Sequence, residues 1–357
     1  MSFGTAIQNL YEKFGDEESR LIFRRRMDFM LTGKYREIFK MIEYINEKHC
    51  MTDVKKQSAP AGFFLSESGS GKKNAVYLMG YGEYVALYYK YAVSTGVEIK
   101  AWIPYPKAGD TEEILPVATM EEALTEPAPV FVIAIQNRKN ATAAIMELRR
   151  KKVAPDRIIF PANDEEEYFG ADIPGFLPPV GGIYIDGGVF DGKTILRYVE
   201  WTGGKYDKIY GFEPDPINYP KVEACIRDKN LKNTEVFNKG LWNKRDRIAF
   251  ETSGTAGSKI CSKGEDSVQV EALDNILEDG EKVAFVKLDI EGAEMEALEG
   301  MKDMILRDKP MLAICVYHKA EDIIDIPAYI SALVPEYKLY LRHHSQLEYE
   351  TVLYAFL

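Results

Sequence analysis

The feature that most limits what this chain can become is an alternation of short apolar runs with helix-like segments, which occurs twice. The first round begins at Ala75. AVYLM, VEIKAWI and PVFVIAI read as strands, EYVALYYKYAVSTG and MEEALTE as the helices between them, and ATAAIMELRRKK leads to RIIFP. The second begins at Ile183, where IYID, KIYGF, TEVFN, VAFVKLDI and MLAICVY are separated by helical stretches, with RIAFETS and SVQVEAL as strands around a Gly/Ser loop. Such alternation predicts a parallel sheet with helices on its faces. The last two apolar runs, YKLYLRHH and TVLYAFL, are joined by a link too short for a parallel crossover, so they pair antiparallel. An α/β doubly wound sheet with one reversed strand at its C-terminal end follows for the second half.

With 357 residues the chain exceeds one ordinary core. Residues 1–50 are expected to be a helical N-terminal segment: Asp16 caps EESRLIFRRRMDFML, Gly33 ends it, and KYREIFKMIEYINEK forms the next helix. KKQSAPAGFFLSESGSGKKN has no periodicity and reads as a loop. A smaller α/β domain is expected over 51–165 and a larger one over 181–357. Between them the charged and then Pro/Gly-rich stretch ANDEEEYFGADIPGFLPPVGG reads as a connection, with the linker at 166–180.

Several function classes are disfavoured. A formal charge of −11 opposes nucleic-acid binding, which needs a concentrated basic face, and Arg24–Arg26 reads as a solvated helix face. No apolar run approaches the roughly 18 residues of a membrane span. The N-terminus lacks the pattern of a secretory signal, so a cytoplasmic location is expected. Cys50, Cys225, Cys261 and Cys315 show no CxxC spacing and read as reduced thiols.

In an open α/β sheet, ligands sit outside the carboxyl ends of the strands where strand order reverses. Polar residues of the second half concentrate at such ends. In IYIDGGVFDGKT, Asp186 closes a strand, and Gly188 and Gly192 allow a sharp turn and a close ligand approach. In YGFEPDP, Glu213 closes the next strand 27 residues later, where an acid can hold both ribose hydroxyls of an adenosyl group, with Pro214 and Pro216 stiffening the corner. In VAFVKLDIEGAEMEALEGM, Asp289, Glu291 and Glu294 surround Gly292; they read either as a divalent metal site or as acids favoured by a helix N-terminus. His318 follows the strand MLAICVY and is a candidate general base; His343 and His344 are candidates or hydrogen-bonded strand-end histidines.

The order IYIDGGVFDGKT, FEPDP, VQVEALDNIL, VKLDIEGAEMEAL, CVYH resembles the FkbM methyltransferase family over the second half of the chain, with KLDIEGAE as the most specific block. The resemblance implies a class I fold, a seven-stranded sheet with an antiparallel last strand, and S-adenosyl-L-methionine as cofactor. It implies that Asp186, Gly188 and Gly192 line the methionine and ribose end, that Glu213 holds the ribose, and that Asn238 and Lys239 lie near the adenine. Asp289 and Glu291 would face the methyl-transfer site, with His343 at its edge. The implied reaction is O-methylation of a small molecule or glycan; a divalent metal is compatible with the acids around Gly292 but not expected. Two positions depart from the family pattern: Val189 replaces a common Ala, and Val316 stands where a Glu often precedes the histidine. His318 is left as the expected base, with Asp289 orienting it or the acceptor.

The first α/β domain carries Gly80-Tyr81-Gly82 after a strand, but Val85 at the third fingerprint position and no acid after Ile103-Pro104-Tyr105. It reads as a degenerate Rossmann-like domain that shapes an acceptor pocket or holds a partner subunit; a homo-oligomer is compatible with this. SESGSGKK is not a phosphate loop, since Ser66 and Lys73 break the motif, and Tyr44 with Lys48 lies upstream of both glycine turns. Two rival readings are an NAD-dependent sugar oxidoreductase or epimerase, and a non-catalytic cofactor-binding module.

Overall fold

A computed structural model of the chain describes residues 3–49, 75–81, 83–105, 115–135, 138–160, 167–169, 172–252, 259–260, 266–345 and 348–357. The loop 55–74 with Ser66 and Lys73, together with Gly82, Cys50 and Cys261, lies outside the described residues. Two compact units are present: a central unit (Arg24–Glu165, Ser345–Glu348) and a C-terminal unit (Met1–Phe23, Glu166–His344, Tyr349–Leu357). The helical start comprises α1 (Phe3–Lys13), α2 (Glu17–Thr32) and α3 (Tyr35–His49), and the division between units falls inside α2. As expected, Asp16 Oδ1 accepts from the Ser19 N–H (2.8 Å), and Gly33, at φ 62°, closes α2 on the Phe29 carbonyl.

The central unit runs β1 (Val76–Gly80), α4 (Glu83–Thr95), β2 (Ile99–Pro104), α5 (Met120–Ala123), β3 (Val130–Ala134), α6 (Arg138–Arg150) and β4 (Ile158–Ile159). Its sheet is parallel throughout, in the order β2-β1-β3-β4, with apolar side chains packed on both faces.

The C-terminal unit runs β5 (Ile183–Gly187), α7 (Lys193–Trp201), β6 (Lys208–Phe212), α8 (Tyr219–Asp228), β7 (Thr234–Phe237), β8 (Gly240–Leu241), β9 (Asp246–Glu251), β10 (Lys259–Ile260), β11 (Asp266–Glu271), β12 (Val283–Leu288), α9 (Glu294–Glu299), α10 (Lys302–Asp308), β13 (Met311–Cys315), α11 (Asp322–Leu333), β14 (Lys338–His343) and β15 (Thr351–Phe356). Seven strands form one sheet in the order β14-β15-β13-β12-β5-β6-β7, and only β15 opposes its neighbours. Strand order reverses between β5 and β12, so their carboxyl ends open the crevice where a ligand binds. A small separate sheet, β10-β9-β11-β8, is inserted after β7.

Two features differ from the sequence expectation. The stretch EMEALEGMKDMILRD is two short helices, α9 and α10, because Gly300 abuts the main chain of Trp242: a Cβ there would lie 1.9 Å from the Trp242 carbonyl oxygen. In place of an exposed connection, the stretch after Glu166 buries Tyr168, Phe169, Ile173 and Phe176 in the C-terminal core. Phe176 stacks on Trp201, and Tyr184 stacks on Tyr198 at 4.0 Å. Each fully buried aromatic contributes about 1.5–3 kcal/mol, which fixes this stretch as core.

The outer edge of β14 is covered by the N-terminal segment. The Gly15 N–H donates to the Leu339 carbonyl (2.8 Å), and Ser19 Oγ accepts from the Leu341 N–H (2.9 Å). Beside them the buried Arg342 guanidinium donates to Asp16 (2.7 Å) and Asp172 (2.5 Å). Arg342→Met removes the buried partner of Asp16 and Asp172 and leaves the buried Glu18 without a cation 3.9 Å away, and is expected to destabilise the C-terminal unit by about 3 kcal/mol. Asp16→Asn, which leaves Asp172 paired, is expected to cost less; denaturant midpoints of the two variants check the order.

Candidate active site

The crevice is built where β5 and β12 end. Gly188 has φ 78°, and a Cβ on it would stand 1.9 Å from the Asp289 carbonyl oxygen, so only glycine lets the two strand ends meet. Gly192, at φ 84°, opens α7 and lies so close to Cys225 that a Cβ would fall 3.0 Å from its Sγ.

Lys287 holds these ends together. Its Nζ donates to the Gly187 and Gly188 carbonyls (2.9 and 2.6 Å) and lies 3.1 Å from Asp186 Oδ1, with both side chains buried. Asp186 Oδ2 accepts from the Thr194 hydroxyl (2.6 Å). Burial opposes the Lys287 charge, but Asp186 and Asp289 outweigh it and push its pKa up. Lys287 escaped the sequence reading; its signal was a lysine inside the apolar run VAFVKL, a place lysine occupies only when paired.

Glu213 closes β6. Its carboxylate accepts from the Phe190 N–H (2.8 Å) and the Asp215 N–H (2.9 Å), while Phe190 adopts φ 56°. Burial raises the Glu213 pKa, partly offset by these two N–H bonds. From Glu213 a cavity of about 340 Å³ extends to Asp289 and Glu291. Phe190, Leu241, Phe250 and Val268 give it apolar walls, the last three coming from the small inserted sheet.

The far end is acidic. Asp289 accepts from the Tyr168 hydroxyl at Oδ2 (2.9 Å) and from the Tyr317 hydroxyl at Oδ1 (3.2 Å). Burial acts to raise its pKa, yet Lys287 and His318 hold it below the ordinary carboxylate range. Glu167 and Glu350 line the same end; burial first, and the neighbouring Glu167 second, push Glu350 well above the usual range.

His318 stands behind Asp289. Its Nδ1 is 2.9 Å from Glu294 Oε1, and its Nε2 is 3.5 and 3.6 Å from oxygens of Asp289 and Glu291. Burial disfavours the charged ring, but Glu294, Asp289 and Glu291 outweigh it and raise the pKa to about 9. His318 itself is not among the residues that line the cavity, whereas Asp289 in front of it is.

Of the residues singled out in the sequence, Gly188, Glu213, Asp289 and Glu291 line one cavity. Asp186 does not reach its surface, because Lys287 and Thr194 engage its carboxylate; Gly192 sits behind the wall against Cys225. Asn238 braces the corner, its side-chain amide donating to the Glu213 and Pro214 carbonyls. Lys239 lies at a second cavity, beside Arg245 and Arg247, next to Gly240 of the main one. His343 is buried between β14 and β15, its Nδ1 2.8 Å from Thr351 Oγ1, and does not edge the cavity. Tyr168, Tyr317, Glu167 and Glu350 were missed because they come from a presumed linker and from positions without motif spacing.

Residues 186–343 match the model of the Methyltransferase FkbM domain. The crystal structure of Methyltransferase FkbM from Methylobacillus flagellatus KT superposes with a TM-score of 0.53 at 18% identity, covering 92% of this chain and 100% of that one, a likeness of fold. An rRNA methylase from Streptococcus thermophilus gives a TM-score of 0.33 at 17% identity, over 50% of this chain and 87% of that one. A comparison with curated proteins found no match. Among the described residues, no helix is long and apolar enough to cross a membrane. From Asp186 to His343 the chain thus matches the FkbM methyltransferase domain, on a fold shared with a solved FkbM methyltransferase.

Proposed function

We propose that the chain transfers a methyl group from S-adenosyl-L-methionine to a hydroxyl of a small molecule or glycan. The observation that carries the reading is the Glu213 carboxylate, fixed by two backbone N–H groups at the end of β6 in a cavity floored by Gly188. The residues suit the cofactor. Gly188 leaves the main chain bare where a Cβ has no room, Glu213 offers acceptors for a ribose diol, and Phe190, Leu241 and Phe250 make a slot for a flat ring. When bound, the cofactor supplies an electrophilic methyl on a sulfonium.

The chain's own residues then have two tasks. Lys287 fixes the Gly187 and Gly188 carbonyls, so the floor keeps one shape. Asp289, held by two tyrosine hydroxyls, presents a carboxylate that can accept a hydrogen bond from the acceptor hydroxyl and orient its oxygen. Orientation of this kind supplies much of the rate in a displacement reaction. The free thiols of Cys225 and Cys315 suit a reducing compartment, and the cytoplasm is the proposed location.

Calorimetry is expected to show binding of S-adenosyl-L-methionine and none of NAD; the reverse overturns the reading. Glu213→Gln is expected to weaken binding by about 10- to 100-fold, the loss of hydrogen bonds to a charged acceptor. Because burial raises the Glu213 pKa and the ionised form is the better acceptor, wild-type affinity falls on acidification before an ordinary glutamate would titrate. Glu213→Gln is expected to remove that part of the pH dependence.

Asp289→Asn keeps the shape but loses the charge. It is expected to cut turnover by about 10²-fold or more with cofactor binding little changed. Release of S-adenosylhomocysteine across a panel of hydroxyl acceptors measures this, and equal loss of cofactor affinity would refute the assigned role.

A further inference from the structure

The cluster behind the acidic end of the cavity has more donors than an internal ion pair needs. Asp289, Glu294 and His318 each present one donor atom, all within 4.8 Å of one another. Glu294 is fixed by the Ile290 N–H, which donates to its Oε1 (2.9 Å), and the same oxygen faces His318 Nδ1. The other side of the ring is different. Nε2 stands 3.5 Å from Asp289 Oδ1 and 3.6 Å from Glu291 Oε2, too far for a good hydrogen bond to either.

Three buried atoms are left over. His318 Nε2 and Glu294 Oε2 have no hydrogen-bond partner, and His318 Nδ1 has only its 2.9 Å ion-pair contact with Glu294, although the two side chains are only 9% and 1% exposed. Leaving such atoms unpaired costs about 1–3 kcal/mol each. A ring serving only as a counter-ion would rotate to seat Nε2 on one oxygen. Instead Nε2 and the carboxylate oxygens are spaced like neighbouring donors around an ion, since two donors each about 2.1 Å from a cation lie roughly 3.0–3.5 Å apart.

We propose that this cluster binds a divalent cation through His318 Nε2 and Asp289 Oδ1, with Glu291 Oε2 completing the protein donors and Glu294 orienting the ring from Nδ1. The arrangement is that of a carboxylate–histidine–metal relay, in which the outer carboxylate fixes the ring. One nitrogen and several carboxylate oxygens suit an ion of the Mn²⁺ or Mg²⁺ class. Asp289 and Glu291 also line the cavity, so the open coordination positions face the acceptor.

The role of the ion, though not its binding, rests on the methyl-transfer reading. A cation lowers the pKa of an oxygen bound to it, which removes the need for a strong protein base. The acceptor hydroxyl gives its proton to water, its oxygen forms the bond to the methyl carbon, and the carbon–sulfur bond breaks with the electron pair staying on sulfur.

The test uses the whole chain, freed of metal with a chelator, titrated with Mn²⁺ alone. Loss of the free-Mn²⁺ electron paramagnetic resonance signal is read without cofactor or acceptor, so its outcome is independent of cofactor binding. One bound Mn²⁺ per chain is expected, weakened about 10- to 100-fold in Glu294→Gln and at least as much in His318→Ala. Circular dichroism shows whether each variant is folded, and His318→Gln replaces His318→Ala if the latter is not. No bound Mn²⁺, or equal binding in folded variants, overturns the proposal and leaves His318 as an internal counter-ion.

Discussion

The ion pair between Lys287 and Asp186 is the constraint on which the crevice depends. β5 and β12 are parallel neighbours between which the strand order reverses, so the crevice opens at their carboxyl ends. A buried lysine amine binds two main-chain carbonyls and one carboxylate at once. Without that cation the buried Asp186 carboxylate would keep the Thr194 hydroxyl but no compensating charge, and the Gly187 and Gly188 carbonyls would lose their ammonium partner in a desolvated place. The same positive charge helps keep Asp289 ionised. One side chain thus sets both the shape of the floor and the charge at its far end.

The cavity that results is polarised along its length. Near Glu213 its walls are apolar, supplied by the small sheet inserted after β7; near Asp289 four carboxylates converge, with Lys287 on the lining beside them and His318 behind it. Burial and the neighbouring Glu167 push the Glu350 pKa well above the usual carboxylate range. Such a gradient places apolar, flat groups at one end and cationic or hydroxylic groups at the other.

What was legible in the sequence follows from what sets each feature. Strand alternation is local, and it gave the sheet, its reversed last strand and the strand-end positions of Glu213 and Asp289. Contacts made through space were not legible. Nothing near Gly300 in the sequence tells of the Trp242 carbonyl that splits the helix, and nothing near Tyr168 tells that a Pro/Gly-rich stretch will bring it to Asp289. Lys239 and His343 occupy strand ends as reckoned by pattern, yet one faces another cavity and the other is enclosed between strands. Asp186 was correctly sited in the chain but is spent on Lys287, a partner that no spacing rule supplies.

The edge of β14 carries a consequence for the order of events during folding. Ser19 and Leu341 are 322 positions apart, with most of the central unit's sequence between them. Closing a loop of that length is entropically unfavourable, and contacts of such separation form late. During synthesis the segment holding Asp16 and Ser19 emerges long before its strand exists, while the helices and strands up to Glu165 can already fold. The methyltransferase sheet is therefore sealed from its own beginning only after nearly all the chain has been made, and until then β14 has no cover on its outer side.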